Sequence, residues 1–334
     1  MTARVTRRTA LRTAVAAGTL LAAPAIAPAF AQGAPWPNKP VRIIVPFPPG
    51  QAADIFARLV AERLTEIWKQ QVVVENKGGG GGIPGIEAGK AATPDGYTLV
   101  VATSGTFGVN PSLYPDLPYK PLVDFVPITN IIRGPLVIVA HPSFPASTVA
   151  ELIALARKEP GKHSYASAGP GTAQHLSMEL FMLKAGLNIV HVPYKGSGPA
   201  LADLLGGHVK LMMDSTASSL SAIRDGRIKA LGVTTAKRVP PPLESVPSIG
   251  ETVPGYDSAG WSGLVAPART PRYIVEKVNA DVTAVLREPA MLRKFEERAT
   301  LSAPTTTAEF AAFIAKDIAT WAEVVKATGT KPGN

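Results

Sequence analysis

Between residues 41 and 234, short apolar runs alternate with amphipathic helical stretches, and that alternation restricts the chain to one broad class of architecture. Strand-like runs fall at 41–46, 72–75, 97–103, 136–140, 163–166, 189–192, 209–213 and 228–234, with helical periodicity at 52–69, 86–92, 148–157, 172–184 and 198–205 between them. In the 52–69 stretch, Ile55, Leu59 and Leu64 form an apolar stripe beside the charged Glu62 and Arg63. Strands separated by helices of this size pair in parallel through βαβ units, so the predicted class is α/β with mainly parallel sheets flanked by helices. A further strand at 261–266 and helices at 271–287 and 307–327 complete the chain.

A chain of 334 residues more readily forms two domains than one enlarged core. The first sheet is expected to run to about Ile132. The second opens near Pro135 and closes near Pro254, past Val239-Pro240-Pro241-Pro242 and Pro247. The strand at 261–266 and the last helices are then expected to return to the first sheet. The predicted division is residues 1–31 as a leader, 32–134 with 255–334 as one lobe, and 135–254 as the other. Two crossings between α/β lobes make a hinge with a cleft between them.

The leader is read from Thr6-Arg7-Arg8-Thr9-Ala10-Leu11-Arg12, a twin-arginine export pattern, then the apolar run 14–29 and the small-residue cleavage site Ala29-Phe30-Ala31. That run is Ala-rich and interrupted by Pro24 and Pro28, which suits a cleaved signal better than a permanent span. Cleavage after Ala31 removes four arginines and no acid, so the net charge falls from +9 to +5. This excess is mild, and no Lys/Arg run with interleaved aromatics offers a phosphate-contacting face, which argues against nucleic acid as a partner. Cysteine is absent, so disulfides, thiolate catalysis and zinc–thiolate sites are excluded.

Two loops stand out for chemistry. Pro46-Phe47-Pro48-Pro49-Gly50-Gln51-Ala52-Ala53-Asp54 joins a strand to a helix at the carboxyl end of a parallel strand, where open α/β sheets bind ligands. Gly50 permits close backbone approach, and the unpaired N–H groups of a helix start suit an anion. Ser167-Ala168-Gly169-Pro170-Gly171-Thr172-Ala173-Gln174-His175 repeats the arrangement in the second block, with Thr172 placed to cap the helix or offer its hydroxyl. Two helix starts facing one cleft would bracket a dicarboxylate. Candidate binding residues are therefore Pro48, Gly50, Gln51, Asp54, Ser167, Gly169, Gly171, Thr172 and His175. Ser104 after the third strand, Tyr194 and Lys195 in the 191–197 turn, and Asp214 before the next helix join them. Each has a structural alternative: turn formation for the glycines, first-turn charge for Asp54, backbone partnering for His175, packing for Tyr194 and a solvated position for Lys195.

Other motifs fail on context. Gly80-Gly81-Gly82-Ile83-Pro84-Gly85 matches G-x-G-x-x-G, yet the following strand ends in Thr103-Ser104 with no acid for a ribose. Gly260-Trp261-Ser262-Gly263 lacks the spacing of a nucleophile elbow. His141, His163, His175, His191 and His208 lie without metal-ligand spacing. No cofactor, metal or catalytic constellation is expected.

Several segments in order resemble the Bug family of extracytoplasmic solute receptors, the binding component of tripartite tricarboxylate transporters. They are Trp36-Pro37-Asn38-Lys39-Pro40-Val41-Arg42-Ile43-Ile44-Val45-Pro46-Phe47, Val73-Val74-Glu75-Asn76-Lys77, Pro94-Asp95-Gly96-Tyr97-Thr98-Leu99, the loop at 167–175, the 191–196 turn, and Gly263-Leu264-Val265-Ala266-Pro267. The resemblance implies a two-lobed periplasmic-binding-protein fold of type II kind. It also implies a small carboxylate held by backbone N–H groups and ordered water from the loops at 48–54 and 167–175. Implied partners are that carboxylate and the transporter's membrane subunits, in the periplasm; a sensor protein is the alternative partner. Many relatives carry Pro-Gly-Gly in the first loop where this chain has Pro49-Gly50-Gln51, so ligand identity does not carry over.

Overall fold

The computed structural model describes residues 36–239 and 241–332; the leader expected at 1–31 lies outside them. The unit Pro37–Asn334 contains two mixed sheets. The strands in chain order are β1 (Val41–Val45), β2 (Val72–Asn76), β3 (Thr98–Thr103), β4 (Phe125–Gly134), β5 (Leu136–Ala140), β6 (Ser164–Ser167), β7 (Val190–Pro193), β8 (Leu211–Ser215), β9 (Lys229–Val233), β10 (Gly260–Pro267) and β11 (Leu301–Ser302). One sheet has the order β11-β4-β10-β3-β1-β2 and the other β7-β6-β8-β5-β9.

The βαβ part of each sheet is parallel as periodicity predicts: β1 pairs in parallel with β2 and β3, and β6 with β7 and β8. The rest corrects the expectation of mainly parallel sheets. β10 runs antiparallel to both β3 and β4, and β5 antiparallel to both β8 and β9. β5 and β10 are the first strands after the chain passes from one sheet to the other, so no intervening helix imposes a common direction on them. The two passages are neighbours: Gly134, just before β5, pairs with Gly260 at the start of β10.

Helices follow from their apolar spacing. Ala52–Trp68 buries Ala53, Phe56, Ala57, Val60, Ala61, Leu64 and Trp68, a stripe at three- and four-residue intervals, and ends at Lys69 in the left-handed region (φ 53°). Thr307–Thr328 starts with a reciprocal Thr306–Glu309 capping box and buries Phe310, Ile314, Trp321 and Val325. Beyond the helices predicted from the sequence, the fold has Pro289–Glu296, whose Phe295 meets Phe56 at 4.5 Å between ring centroids. The long β4 also has no counterpart among the predicted strands. Its Pro127 sits where β4 and β10 slip register, and β11 pairs only with Ile132 and Arg133, so the proline interrupts no complete ladder.

Helical segments that follow strands of both sheets share one apolar cluster. Val109 and Leu113 meet Leu176 of helix Ala173–Ala185 and Trp321 and Val325 of the last helix. Next to this cluster, Phe310 and Phe313 pack edge-on against Trp261 of β10 at 5.5 and 5.4 Å. Phe310 lies directly over Gly263: a Cβ there would stand 2.3 Å from its Cζ and 2.7 Å from the Thr129 carbonyl oxygen in the neighbouring strand. The backbone oxygen cannot give way, so Gly263→Ala is expected to destabilise the fold by about 1–3 kcal/mol. A urea midpoint equal to that of the parent protein would contradict this packing.

Candidate functional site

Four chain segments leave the carboxyl ends of β1, β3, β6 and β8, and each opens a helical turn toward the same point. After β1, Gln51 precedes helix Ala52–Trp68; after β3, Thr103 precedes a π-helical turn at Ser104–Val109; after β6, Thr172 precedes Ala173–Ala185; after β8, Ser215 precedes Thr216–Arg224. All four starts line a cavity of about 50 Å³, room for a few water-sized groups. Its walls are completed by Phe47, Ile132, Leu136, Trp261, Ser262 and Thr300. Neither Asp, Glu, Lys nor Arg is among its lining residues.

Capping explains which donors remain. Thr103, Thr172 and Ser215 accept from the N–H of Thr106, His175 and Ser218, while Gln51 caps nothing. The Asp54 and Leu176 N–H groups already bond the Gln51 and Thr172 carbonyls, and that of Thr216 bonds the Pro135 carbonyl. Within the described residues this leaves the N–H groups of Ala52, Ala53, Ser104, Gly105, Ala173, Gln174 and Ala217 without an acceptor. Such groups carry the positive end of the helix dipole and are the physical basis of anion binding at helix starts.

Of the sequence-derived candidates, Gln51, Ser104 and Thr172 line the cavity. Others shape the loops behind it. Asp54 folds the first loop: its Oδ2 accepts from the Gly50 N–H at 3.0 Å, and its Oδ1 from Arg58 Nε at 3.0 Å and Asn76 Nδ2 at 2.8 Å. Gly50, with φ 89°, is thereby occupied as a donor, and its carbonyl accepts from Ser218 Oγ at 3.1 Å. In the second loop, Ser167 Oγ accepts from the Gly169 N–H at 3.1 Å and lies 2.7 Å from His191 Nε2. Thr172 Oγ1 donates to the Gly169 carbonyl at 2.7 Å. His175 Nδ1 accepts from the Gly171 N–H at 3.2 Å, and its ring stacks on His191 at 4.1 Å. Burial first, then His191, lower the His175 pKa to about 3, so it stands as a neutral strut.

Asp214 is fully buried beneath the third and fourth starts. It accepts from Ser197 Oγ and Ser219 Oγ, both at 2.6 Å, and from the Gln174 side chain. Burial pushes its pKa up and these bonds pull it back. Its lone pairs are taken by protein donors that fix the two helix starts. Tyr194 and Lys195 do not line the cavity: the Tyr194 hydroxyl donates to Asp203 at 2.6 Å, and Lys195 is exposed. Pro48 is also outside the lining and packs between Gly78 and Gly196.

Sequence reasoning passed over Ala52, Ala53, Gly105, Ala173, Gln174, Ala217, Trp261 and Thr300 as site residues. The only available signals were that β3 and β8 end as β1 and β6 do, and that Asp214-Ser215 reads as a cap. Backbone packing between the sheets is close here. A Cβ on Gly105 would stand 2.7 Å from the Gly171 carbonyl oxygen, and one on Gly171 2.5 Å from Asn110 Oδ1.

A match to the family model described as tripartite tricarboxylate transporter family receptor covers residues 56–330. The chain belongs to this receptor family. BugT of Bordetella pertussis is 36% identical over 298 residues, covering 89% of this chain and 91% of BugT. A UPF0065 protein of a Pseudomonas species is 39% identical over 264 residues, 78% of each. Among solved structures, an R. palustris protein with adipate superposes with a TM-score of 0.87 at 37% identity, over 89% of this chain and 99% of the other. MatC from Rhodopseudomonas palustris with bound malate gives 0.82 at 30% identity, over 87% and 100%. The periplasmic binding protein BugD gives 0.85 at 35% identity, over 89% and 99%. The fold is thus the two-lobed one of periplasmic binding proteins, and the family and these neighbours are solute-binding receptors rather than enzymes.

One buried acid supports the receptor's cavity wall from behind. Asp317 Oδ2 accepts from Trp261 Nε1 at 2.8 Å. Burial raises the Asp317 pKa to about 6, opposed by the indole hydrogen bond and the charge of Arg133. The folded state therefore holds this proton more tightly than the unfolded chain. The associated stability is complete below about pH 4 and lost as pH rises through about 6. Asp317→Asn keeps an acceptor without charge. It is expected to be more stable than the parent at pH 7, by about 2–3 kcal/mol, with the advantage gone at pH 4. Thermal unfolding at the two pH values measures this; equal differences at both would contradict a raised pKa.

Proposed function

We propose that this chain captures a small carboxylate in the cavity between its two sheets and delivers it to the membrane subunits of a tripartite tricarboxylate transporter. One observation carries the reading: seven unpaired backbone N–H groups from four helical turns surround a cavity that has no charged side chain. Such a site binds an anion through oriented dipoles, with no buried cation to desolvate. Donors stand on both sides of the cleft, so one ligand with two carboxylates engages both. The relatives solved with adipate and malate support that ligand class.

In this reading, residues 37–134 with 255–332 move as one lobe and 135–254 as the other, bending at the paired Gly134 and Gly260. A ligand that contacts both lobes only when they are shut favours the closed state by those extra contacts. Presentation to a membrane partner then follows from shape. The twin-arginine leader, cleaved after Ala31, would place the receptor in the periplasm.

Purified residues 32–334, unfolded and refolded to release any retained ligand, are to be titrated with mono-, di- and tricarboxylates, amino acids and aromatic acids. A ligand at a hundredfold its Kd adds about 2.7 kcal/mol of stability, a clear thermal shift. Silence from a folded protein across all the carboxylates would overturn the reading.

Donor roles are separable by proline. Gln51 and Thr172 are extended (φ −79°, ψ 153°; φ −77°, ψ 159°), the conformation preferred before proline, and Ala52 and Ala173 are first helical positions. Ala52→Pro and Ala173→Pro therefore delete one donor each within a tolerated backbone. Each is expected to weaken carboxylate binding about 10-fold or more, the value of a hydrogen bond to a charged group. Calorimetric affinities unchanged in both variants would remove these helix starts from the site.

A further inference from the structure

Of the four N-cap residues, Gln51 alone carries a polar side chain that it does not use in a cap. Thr103, Thr172 and Ser215 each accept from a backbone N–H of the turn they open, whereas the Gln51 side chain makes no such bond. Yet it is only 6% exposed, it lines the cavity, and its Oε1 is buried without a hydrogen-bond partner. Opposite it, Gly196 of the second sheet's 194–196 turn has φ 124°, and a Cβ there would lie 3.6 Å from Oε1. No side chain from that turn hydrogen-bonds Oε1.

A buried polar group without a partner is costly, so its retention next to a cavity calls for a partner that arrives. The carboxamide offers an acceptor and two donors on one rigid plane. A carboxylate satisfies only the donors. A hydroxyl beside the carboxylate both donates and accepts, and it is the smallest group to match both ends of the amide. Exchange of Oε1 and Nε2 by rotation of the amide leaves this complementarity unchanged.

We propose that Gln51 is a specificity-determining residue whose carboxamide pairs with a hydroxyl adjacent to the ligand carboxylate, so that the receptor selects 2-hydroxy dicarboxylates over their unsubstituted counterparts. The inference rests on the carboxylate reading of the same cavity. A site built to pair with a hydroxyl discriminates strongly against the analogue that lacks it, because its own polar group is then left buried and unpaired.

The test uses the refolded receptor and its Gln51→Met variant, which keeps side-chain length and loses both hydrogen-bonding ends. Calorimetric titration compares each linear dicarboxylate of four to six carbons with its 2-hydroxy counterpart. The parent is expected to favour the hydroxy acid by about tenfold or more at the chain length it binds, and the variant's ratio to fall to about one, whatever its absolute affinities. A parent ratio near one, or a ratio retained in Gln51→Met, overturns the assignment while leaving carboxylate binding intact. Failure of every acid to bind the folded parent would overturn the dicarboxylate reading and this assignment together. Gln51→Ala, with its thermal midpoint measured alongside, separates lost hydrogen bonding from altered shape: it too is expected to lose the ratio.

Discussion

Unpaired main-chain N–H groups are what the rest of this receptor is arranged around. A helix must leave its first donors unsatisfied, and here four turns deliver them to one place. That convergence requires four strands to end together, which the parallel halves of the two sheets provide. It also requires caps that satisfy later donors and spare the earliest ones. Thr103, Thr172 and Ser215 do this by accepting from the third helical position. Asp214 and Asp54 act one layer further out, holding loops and not ligand.

Keeping charge out of the lining has an energetic logic. A buried lysine or arginine would have to shed its water whenever the cleft shut empty, at a cost of several kcal/mol. Peptide dipoles fixed by their helices need no such desolvation of a full charge and no side-chain ordering. Two ionisable groups behind the walls follow the same rule. His175 is held neutral by burial, and Asp317 is biased toward its neutral form while it steadies Trp261.

Much of the architecture was legible because alternation of apolar runs and amphipathic stretches translates directly into βαβ units. Strand direction was not, since the period of a strand is the same either way; β5 and β10 turned out antiparallel. β4 escaped because Pro127 reads as a break, though a slip in register absorbs it. In the site, the loops around Gly50 and Thr172 stood out through their glycines and their position after strands. The donors within them did not, because Ala52, Ala53 and Ala173 carry no chemistry in their side chains. A binding surface made of backbone leaves almost no trace in residue identity.

The close passage of Gly105 against Gly171 and Thr172 bears on how such a surface measures length. At that point peptide meets peptide, 2.7 Å from where a Cβ would be, with no flexible side chain to compress. Two rigid turns in contact form a mechanical stop, and the same two turns carry donors on their inner edges. Where those turns touch, the separation between their donors is set by the thickness of the main chain. On the carboxylate reading proposed above, the jaws would work as a fixed gauge for a ligand with two charged ends.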